Sequence, residues 1–359
     1  MSLYQFVYAR SRKLAQALSG RKGMVAGVML GVAGMAALIY LAATFTTAFW
    51  GTQAGAPIDL QPPATAENRT NDLSAMIRNG ALDPLEVERA FAPHRAKLDG
   101  VNVLMVPSFL SDFLMPARNA GLTDYFSRQE EWLAEQGMGM QMAQSNTAAS
   151  ATQNADWIAA YIDNSPTPLC LITHSKGGVD VLTFLLSAND EQLSKVACWI
   201  ALQPPLGGSP VADQVLASGD ASAVSARTLH LLGGSLEAVR DLGTDRRQSV
   251  LAQHDRDIQE LARRIPILSV AGRFSPDTWL DAGFPYTIPH AWLDGHGQES
   301  DGLVPVASAQ LPHTPYVLID AADHGATIRD ATPLANDAGV FLKALFAVML
   351  ESHSAEQIQ

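Results

Sequence analysis

The feature that most constrains this chain is an apolar run that passes directly into a serine and a pair of glycines: Leu169-Cys170-Leu171-Ile172-Thr173-His174-Ser175-Lys176-Gly177-Gly178. A short apolar run of this kind reads as a buried strand. Helical spacing follows over 178–186, so the serine stands at a sharp strand-to-helix turn. A nucleophile on such an elbow offers its hydroxyl at a helix N-terminus, where the dipole favours developing negative charge. Small residues must flank it, because strand and helix approach closely there. The usual pattern is G-x-S-x-G. Here Thr173 replaces the first glycine and Gly177 keeps the second. The plainer reading of the same residues is a Ser-Lys-Gly-Gly turn that merely starts a helix.

The surroundings suit an elbow. From residue 100 onward, short apolar strands at 101–106, 139–143, 169–173, 197–202, 266–271 and 316–319 alternate with helical patterns at 122–136, 152–162 and 178–186. A closing helix is expected over 338–350. Strands alternating with helices imply a mostly parallel sheet covered on both faces. Residues 207–264 break the rhythm as a long, partly helical insertion between two strands. No internal repeat is present.

The N-terminal part has a different character. Residues 23–50 contain no charged side chain, and 24–45 are dominated by Ala, Val, Leu, Met and Gly. Roughly 20 such residues cross the hydrocarbon core as a helix. Arg10, Arg12, Lys13, Arg21 and Lys22 all precede the run, which predicts a cytoplasmic N-terminus and an exported remainder. A signal peptide is the rival reading, but its apolar region is usually only ~7–15 residues. Gly23, Gly27 and Gly31 recur every fourth residue, a spacing that would let two such helices form a homodimer contact. The expected organisation is a basic tip over 1–22, a transmembrane anchor over 23–46, a linker with short helices over 47–99, and one α/β domain over 100–359. Pro84 and Pro93 should break the short helices.

Charge excludes one class of partner. The net charge is −12, and five of the 24 basic residues lie before residue 23 while all 36 acidic ones lie beyond residue 58. The body is therefore strongly acidic and has no basic footprint for nucleic acid. Cys170 and Cys198 both fall in apolar strands and read as buried free thiols.

A serine nucleophile needs a base and an acid, which in an elbow-bearing sheet follow it in the chain order Ser, acid, His. His324 sits just past the last apolar strand, in Asp320-Ala321-Ala322-Asp323-His324-Gly325, where an imidazole can swing over the serine. His174 lies in the strand itself and should point away. His313 precedes the last strand, and His94, His230, His254, His290, His296 and His353 read as surface or loop residues. Asp301, in Ser300-Asp301-Gly302-Leu303-Val304, is the favoured acid. Asp320, Asp277, Asp281 and Asp294 stay open as alternatives, whereas Asp323 adjoins the base and is poorly placed to orient it. Two backbone N–H groups should bind the oxyanion. Lys176, directly after the nucleophile, is expected to give one, and Phe109, after the 101–106 strand, the other. The Lys176 side chain reads as a solvated charge.

Taken together these motifs resemble the bacterial triacylglycerol lipases of the α/β-hydrolase superfamily, over about residues 100–350. Thr173-His174-Ser175-Lys176-Gly177-Gly178 resembles the family's G-H-S-x-G-G elbow. Gln203-Pro204-Pro205-Leu206-Gly207-Gly208-Ser209-Pro210-Val211-Ala212-Asp213 resembles its P-H-x-G-S-x-x-A-D segment, with Pro205 and Leu206 in place of the histidine and its neighbour. Asp301-Gly302-Leu303-Val304 matches the acid motif. The resemblance implies the α/β-hydrolase fold, a Ser175–Asp301–His324 triad, and a mobile lid within 207–264 over an acyl pocket. It also departs from the family: the calcium-binding carboxylates some members carry behind the histidine have no counterpart before Asp330.

The expected activity is hydrolysis of carboxylic esters with apolar acyl groups, without a cofactor, on an ester or lipid substrate beside the membrane. Acyl transfer by the same triad and a non-catalytic, anchored binding domain are the alternatives.

Overall fold

Parallel pairing of distant strands organises the molecule, as the alternating pattern requires. The computed structural model describes residues 57–107, 118, 125–143, 146, 149–217, 235–274, 286–329, 334–335 and 337–356. The expected anchor at 23–46, Phe109 and the middle of the insertion lie outside the described residues. The strands are β1 (Glu67–Asn68), β2 (Ile77–Arg78), β3 (Ala81–Leu82), β4 (Asn102–Val106), β5 (Met140–Met142), β6 (Leu169–His174), β7 (Val196–Leu202), β8 (Ile267–Arg273) and β9 (Pro315–Asp320). The helices are α1 (Thr70–Ala75), α2 (Pro84–Phe91), α3 (Ser127–Glu135), α4 (Ala151–Asp163), α5 (Lys176–Ser187), α6 (Asp190–Ser194), α7 (Pro210–Ala217), α8 (Leu236–Arg240), α9 (Thr244–Gln253), α10 (Asp255–Arg264), α11 (Thr287–Gly295) and α12 (Ala338–Glu356).

Seven strands form one sheet in the order β1-β9-β8-β7-β6-β4-β5, with every pairing parallel. The order reverses between β4 and β6, and open α/β sheets bind ligands at the carboxyl ends of the strands flanking such a point. Ser175 follows β6 there. Glu67–Asn68, inside the stretch read as linker, adds an edge strand against β9. The segment after α1 makes a small β2–β3 hairpin, a feature hidden among residues that read as helical.

Two-residue alternation splits the core across the sheet. Val103, Met105, Cys170, Ile172, Ile200 and Val270 face α12, whose Phe341, Leu345 and Phe346 are buried. Leu104, Val106, Leu171, Trp199 and Ile267 face the other way, against Ile158 and Ile162 of α4, Val181 and Leu185 of α5, and Ile258 of α10. Both faces are buried, which is why the strands read as continuous apolar runs. The closing helix runs to Glu356, about 1.7 turns beyond the expected 350. Ala338–Ala355 is long and apolar enough to cross a membrane, but 67% of that window is buried inside the fold, so it is a core helix.

Cys170 and Cys198 are not free thiols. The β6–β7 register sets them directly opposite, and their sulfurs are joined as a disulfide. Among the described residues no cysteine is free.

Candidate active site

Ser175 links β6 to α5 in a backbone conformation that side-chain-bearing residues rarely adopt, with φ 54° and ψ −126°. Strain of this kind, of order 1–3 kcal/mol, persists only where the surroundings enforce it. Here they do. The Ser175 N–H donates to the Leu202 carbonyl at 2.9 Å, and the Gly178 N–H turns back to the Ser175 carbonyl at 2.9 Å. A Cβ on Gly177 would stand 2.4 Å from the Val106 carbonyl oxygen, and one on Gly178 would stand 2.6 Å from Pro204 Cβ. Both glycines are thus required by close approach of the α5 start to β4 and to the turn after β7. Thr173 fits where glycine is usual because its hydroxyl is turned to a partner: Trp199 Nε1 donates to Thr173 Oγ1 at 3.1 Å.

The structure brings Ser175, His324 and Asp301 together, though 149 residues separate the serine from the histidine. His324 Nε2 lies 2.8 Å from Ser175 Oγ, and His324 Nδ1 lies 2.8 Å from Asp301 Oδ2. The other carboxylate oxygen, Oδ1, accepts the N–H groups of Leu303 at 2.9 Å and Val304 at 2.8 Å. All three side chains are buried. With Nδ1–H donated to the carboxylate, Nε2 is the lone-pair nitrogen that can accept from the serine hydroxyl. Asp320 pairs instead with Arg273, Asp323 pairs with Arg329, and Asp294 is exposed on α11. Asp277 and Asp281 lie outside the described residues.

Lys176 opens α5, so its backbone N–H has no partner inside the helix. Its side chain is not a solvated charge. It is 1% exposed, and Nζ lies 2.7 Å from Asp180 Oδ1, whose other oxygen accepts Asn154 Nδ2 at 2.8 Å. Burial pushes the Asp180 carboxyl up to about 6 despite the ammonium beside it. His94 and His296, read as surface or loop residues, are buried, held by Glu351 and by the Trp292 carbonyl.

Three residues around the base have roles that the sequence reading did not assign. Gln203 Nε2 donates to Asp301 Oδ2 at 2.9 Å and to the Asp323 carbonyl at 2.8 Å, and Thr327 Oγ1 donates to Gln203 Oε1 at 2.9 Å. His174 Nε2 donates to the His324 carbonyl at 2.8 Å, and the two rings stand 5.0 Å apart. Full burial, with the neighbouring imidazole, holds His174 down at about 3, so it stays neutral, with Nδ1 unpaired among the described residues. Only Gln203 and His174 fall within stretches already marked by motif, and nothing in the sequence shows what they touch.

Known proteins resemble this arrangement at several levels. The lecithin:cholesterol acyltransferase family model matches residues 153–235. No curated protein sequence matches significantly. Among solved structures, a metagenomic carboxyl esterase is 18% identical, with a TM-score of 0.59, over 83% of this chain and 97% of that one. Phospholipase PlaB from Legionella pneumophila is 14% identical, with a TM-score of 0.50, over 71% of this chain and 61% of that one. A Bacillus licheniformis lipase is 21% identical over 62% of this chain and 84% of that one, with a TM-score of 0.48. A parallel sheet of this order, an elbow between β6 and α5, and the likeness to the esterase lead to one architecture: the chain has the α/β-hydrolase fold that its motifs resemble.

Proposed function

We propose that the chain is a serine hydrolase of carboxylic esters, with Ser175 as nucleophile, His324 as general base and acid, and Asp301 as the group that orients the imidazole. The observation that carries this reading is the continuous relay from Ser175 Oγ through His324 to Asp301, with 2.8 Å at each link. Ser175 Oγ attacks the ester carbonyl carbon while its proton passes to His324 Nε2. The tetrahedral oxyanion is held by the Lys176 N–H and by the Phe109 N–H, the second donor expected from sequence. Collapse expels the alcohol, which takes the proton from His324, and leaves an acyl-serine. Water repeats the sequence in reverse and releases the acid. No cofactor enters.

The substrate is an ester with an apolar acyl chain, taken from or near a lipid surface. The names carboxyl esterase and phospholipase borne by two of the structural neighbours support an ester or lipid substrate. So does the anchor expected over 23–46, which would hold the domain outside the cytoplasm beside lipid. The insertion at 207–264 would include a lid on the acyl pocket, in the part before α10, since α10 packs on the sheet. A second reading, acyl transfer to an alcohol in place of water, is favoured by the acyltransferase family model over the segment that includes Ser175.

The test is labelling of the full chain with a fluorophosphonate probe, alongside turnover of p-nitrophenyl esters of rising chain length. Wild type should label and Ser175→Ala should not. The value of kcat/KM should climb from acetyl to medium chains, since each buried CH₂ adds ~0.8 kcal/mol of binding. Labelling that persists in Ser175→Ala would sink the nucleophile assignment, and a flat or acetyl-restricted profile would remove the apolar-acyl class. Products formed with an added alcohol separate hydrolysis from transfer.

A further inference from the structure

Gln203 follows the last residue of β7, is fully buried, and has φ 49°. Glycine or asparagine is usual in the left-handed region, so a long polar side chain kept there at local cost points to work done by the side chain. Its amide is used on three sides, by Asp301, by the Asp323 carbonyl and by Thr327. The orientation is set by those partners. Turned over, Oε1 would face a carboxylate oxygen and a carbonyl oxygen, replacing two hydrogen bonds with repulsions. The fold also leaves room for it. A Cβ on Gly272 of β8 would stand 2.6 Å from Gln203 Nε2 and 3.0 Å from Asp301 Cβ. A glycine within a buried strand, here the next-to-last residue of β8, is unfavourable unless something must approach closely, and here Gln203 does.

We propose that Gln203 is a positioning residue: its amide locks the Asp301 carboxylate against the His324 imidazole and ties the acid to the loop that carries the base. This rests on the serine-hydrolase reading of the site. Asp301 Oδ1 is held by the backbone of its own turn, but Oδ2, the oxygen that meets His324, has only the imidazole and Gln203 as partners among the described residues. The same Nε2 holds the carbonyl of Asp323, one residue before the base. One planar group therefore fixes both ends of the acid–base contact relative to each other. Gln203 acts through Asp301 and His324 rather than on the substrate. His174 clamps the next carbonyl, that of His324, independently, so loss of Gln203 should loosen the relay without releasing the loop.

The experiment measures fluorophosphonate labelling rate, kcat, KM and melting temperature on the full chain in detergent. The variants are Gln203→Leu, Asp301→Asn, the double variant and Thr327→Val. Gln203→Leu should slow labelling and lower kcat by ~10–100-fold with KM within ~3-fold, the pattern of a group that matters in the transition state. In the Asp301→Asn background the same change should alter rates by less than ~3-fold, because residues acting through one another are not additive. Thr327→Val keeps both Gln203 donations but removes the hydroxyl that anchors Oε1, so the amide is held less firmly and labelling should slow by ~3–10-fold. Losses that multiply in the double variant, or a Gln203→Leu protein as fast as wild type, overturn the proposal. If Gln203→Leu shows no melting transition, Thr327→Val decides: a slowed rate supports the role and a wild-type rate overturns it. A wild type that never labels overturns the serine-hydrolase reading and this proposal together, whereas a labelled wild type with indifferent variants overturns the role of Gln203 alone.

Discussion

Asp301 receives four N–H donors, two on each carboxylate oxygen, at 2.8–2.9 Å. A carboxylate so enclosed cannot turn away from the imidazole, and Asp301→Asn would replace an acceptor with a group that can favour the wrong histidine tautomer. We expect kcat to fall by ~10²–10⁴-fold with the fold intact, on the precedent of serine proteases. Steady-state kinetics with a melting curve check it; near-wild-type turnover would remove Asp301 from the relay. His174 gives a pH prediction. Its pKa falls from the ordinary 6.5 to about 3 in the folded protein, chiefly through burial. Between those values the unfolded chain takes up a proton that the folded chain refuses. Its contribution to stability is therefore complete above pH 6.5 and is lost as pH falls toward 3. Asp180, raised from 3.8 to about 6, works in the opposite direction over the window between those values. Comparing wild type with His174→Gln, which can still donate to the His324 carbonyl, isolates the histidine. The variant's melting temperature should drop less between pH 6.5 and 3, and parallel curves would show that His174 does not titrate as placed.

At the scale of elements, the elbow exists because β4, β6, β7 and α5 meet with almost no space between them. The Gly177 position faces two backbone carbonyls, Val106 at 2.4 Å and Pro107 at 2.8 Å from a built Cβ. Backbone cannot yield as a flexible side chain can, so Gly177→Ala must push α5 away from β4. The expected loss of stability is ~1–3 kcal/mol or more, the range for overpacked cores. Fluorophosphonate labelling should collapse with it, since the serine loses its enforced conformation. Urea unfolding and labelling on the same preparation test this; an alanine variant that is stable and labels normally would mean that the elbow is looser than drawn. The ion pair of Lys176 with Asp180 lies in the same first turns of α5, and Asn154 of α4 extends it to a second helix. The insertion reaches this region too: Asp241 Oδ2 accepts the Ala151 N–H at the start of α4 at 2.6 Å. The end of α8 is thus fastened to the start of α4, the helix whose Asn154 holds Asp180.

At the scale of the molecule, we propose from the charge bias around the apolar run over 23–46 that this run is a membrane anchor and that the chain beyond it lies outside the cytoplasm. A reporter fused after residue 359 should be active only if it functions in the exported compartment, and a cytoplasm-only reporter that lights up would refute this topology. The disulfide between Cys170 and Cys198 lies in the sheet interior, so access to it requires unfolding of the core that β6 and β7 build.

Local physics made much of this readable in the sequence. Apolar runs bounded by turn residues gave β4, β6, β7, β8 and β9 nearly to the residue, and helical spacing gave α4, α5 and the start of α12, because periodicity is a property of neighbouring positions. The serine turn announced itself through the glycines after it, and chain order directed attention to Asp301 and His324. The two-residue β1 and the β2–β3 hairpin were too short to carry a pattern. What only the tertiary structure decided depends on register between segments far apart in the chain. Gln203 meets Asp301 across 98 residues, and Cys170 meets Cys198 only because β6 and β7 pair in one register of several. Lys176 reads as an ordinary surface charge until α5 is laid against α4, which removes water from its ammonium and leaves Asp180 as its hydrogen-bond partner. Burial and partner are properties of the packed chain, and no spacing along the sequence encodes them.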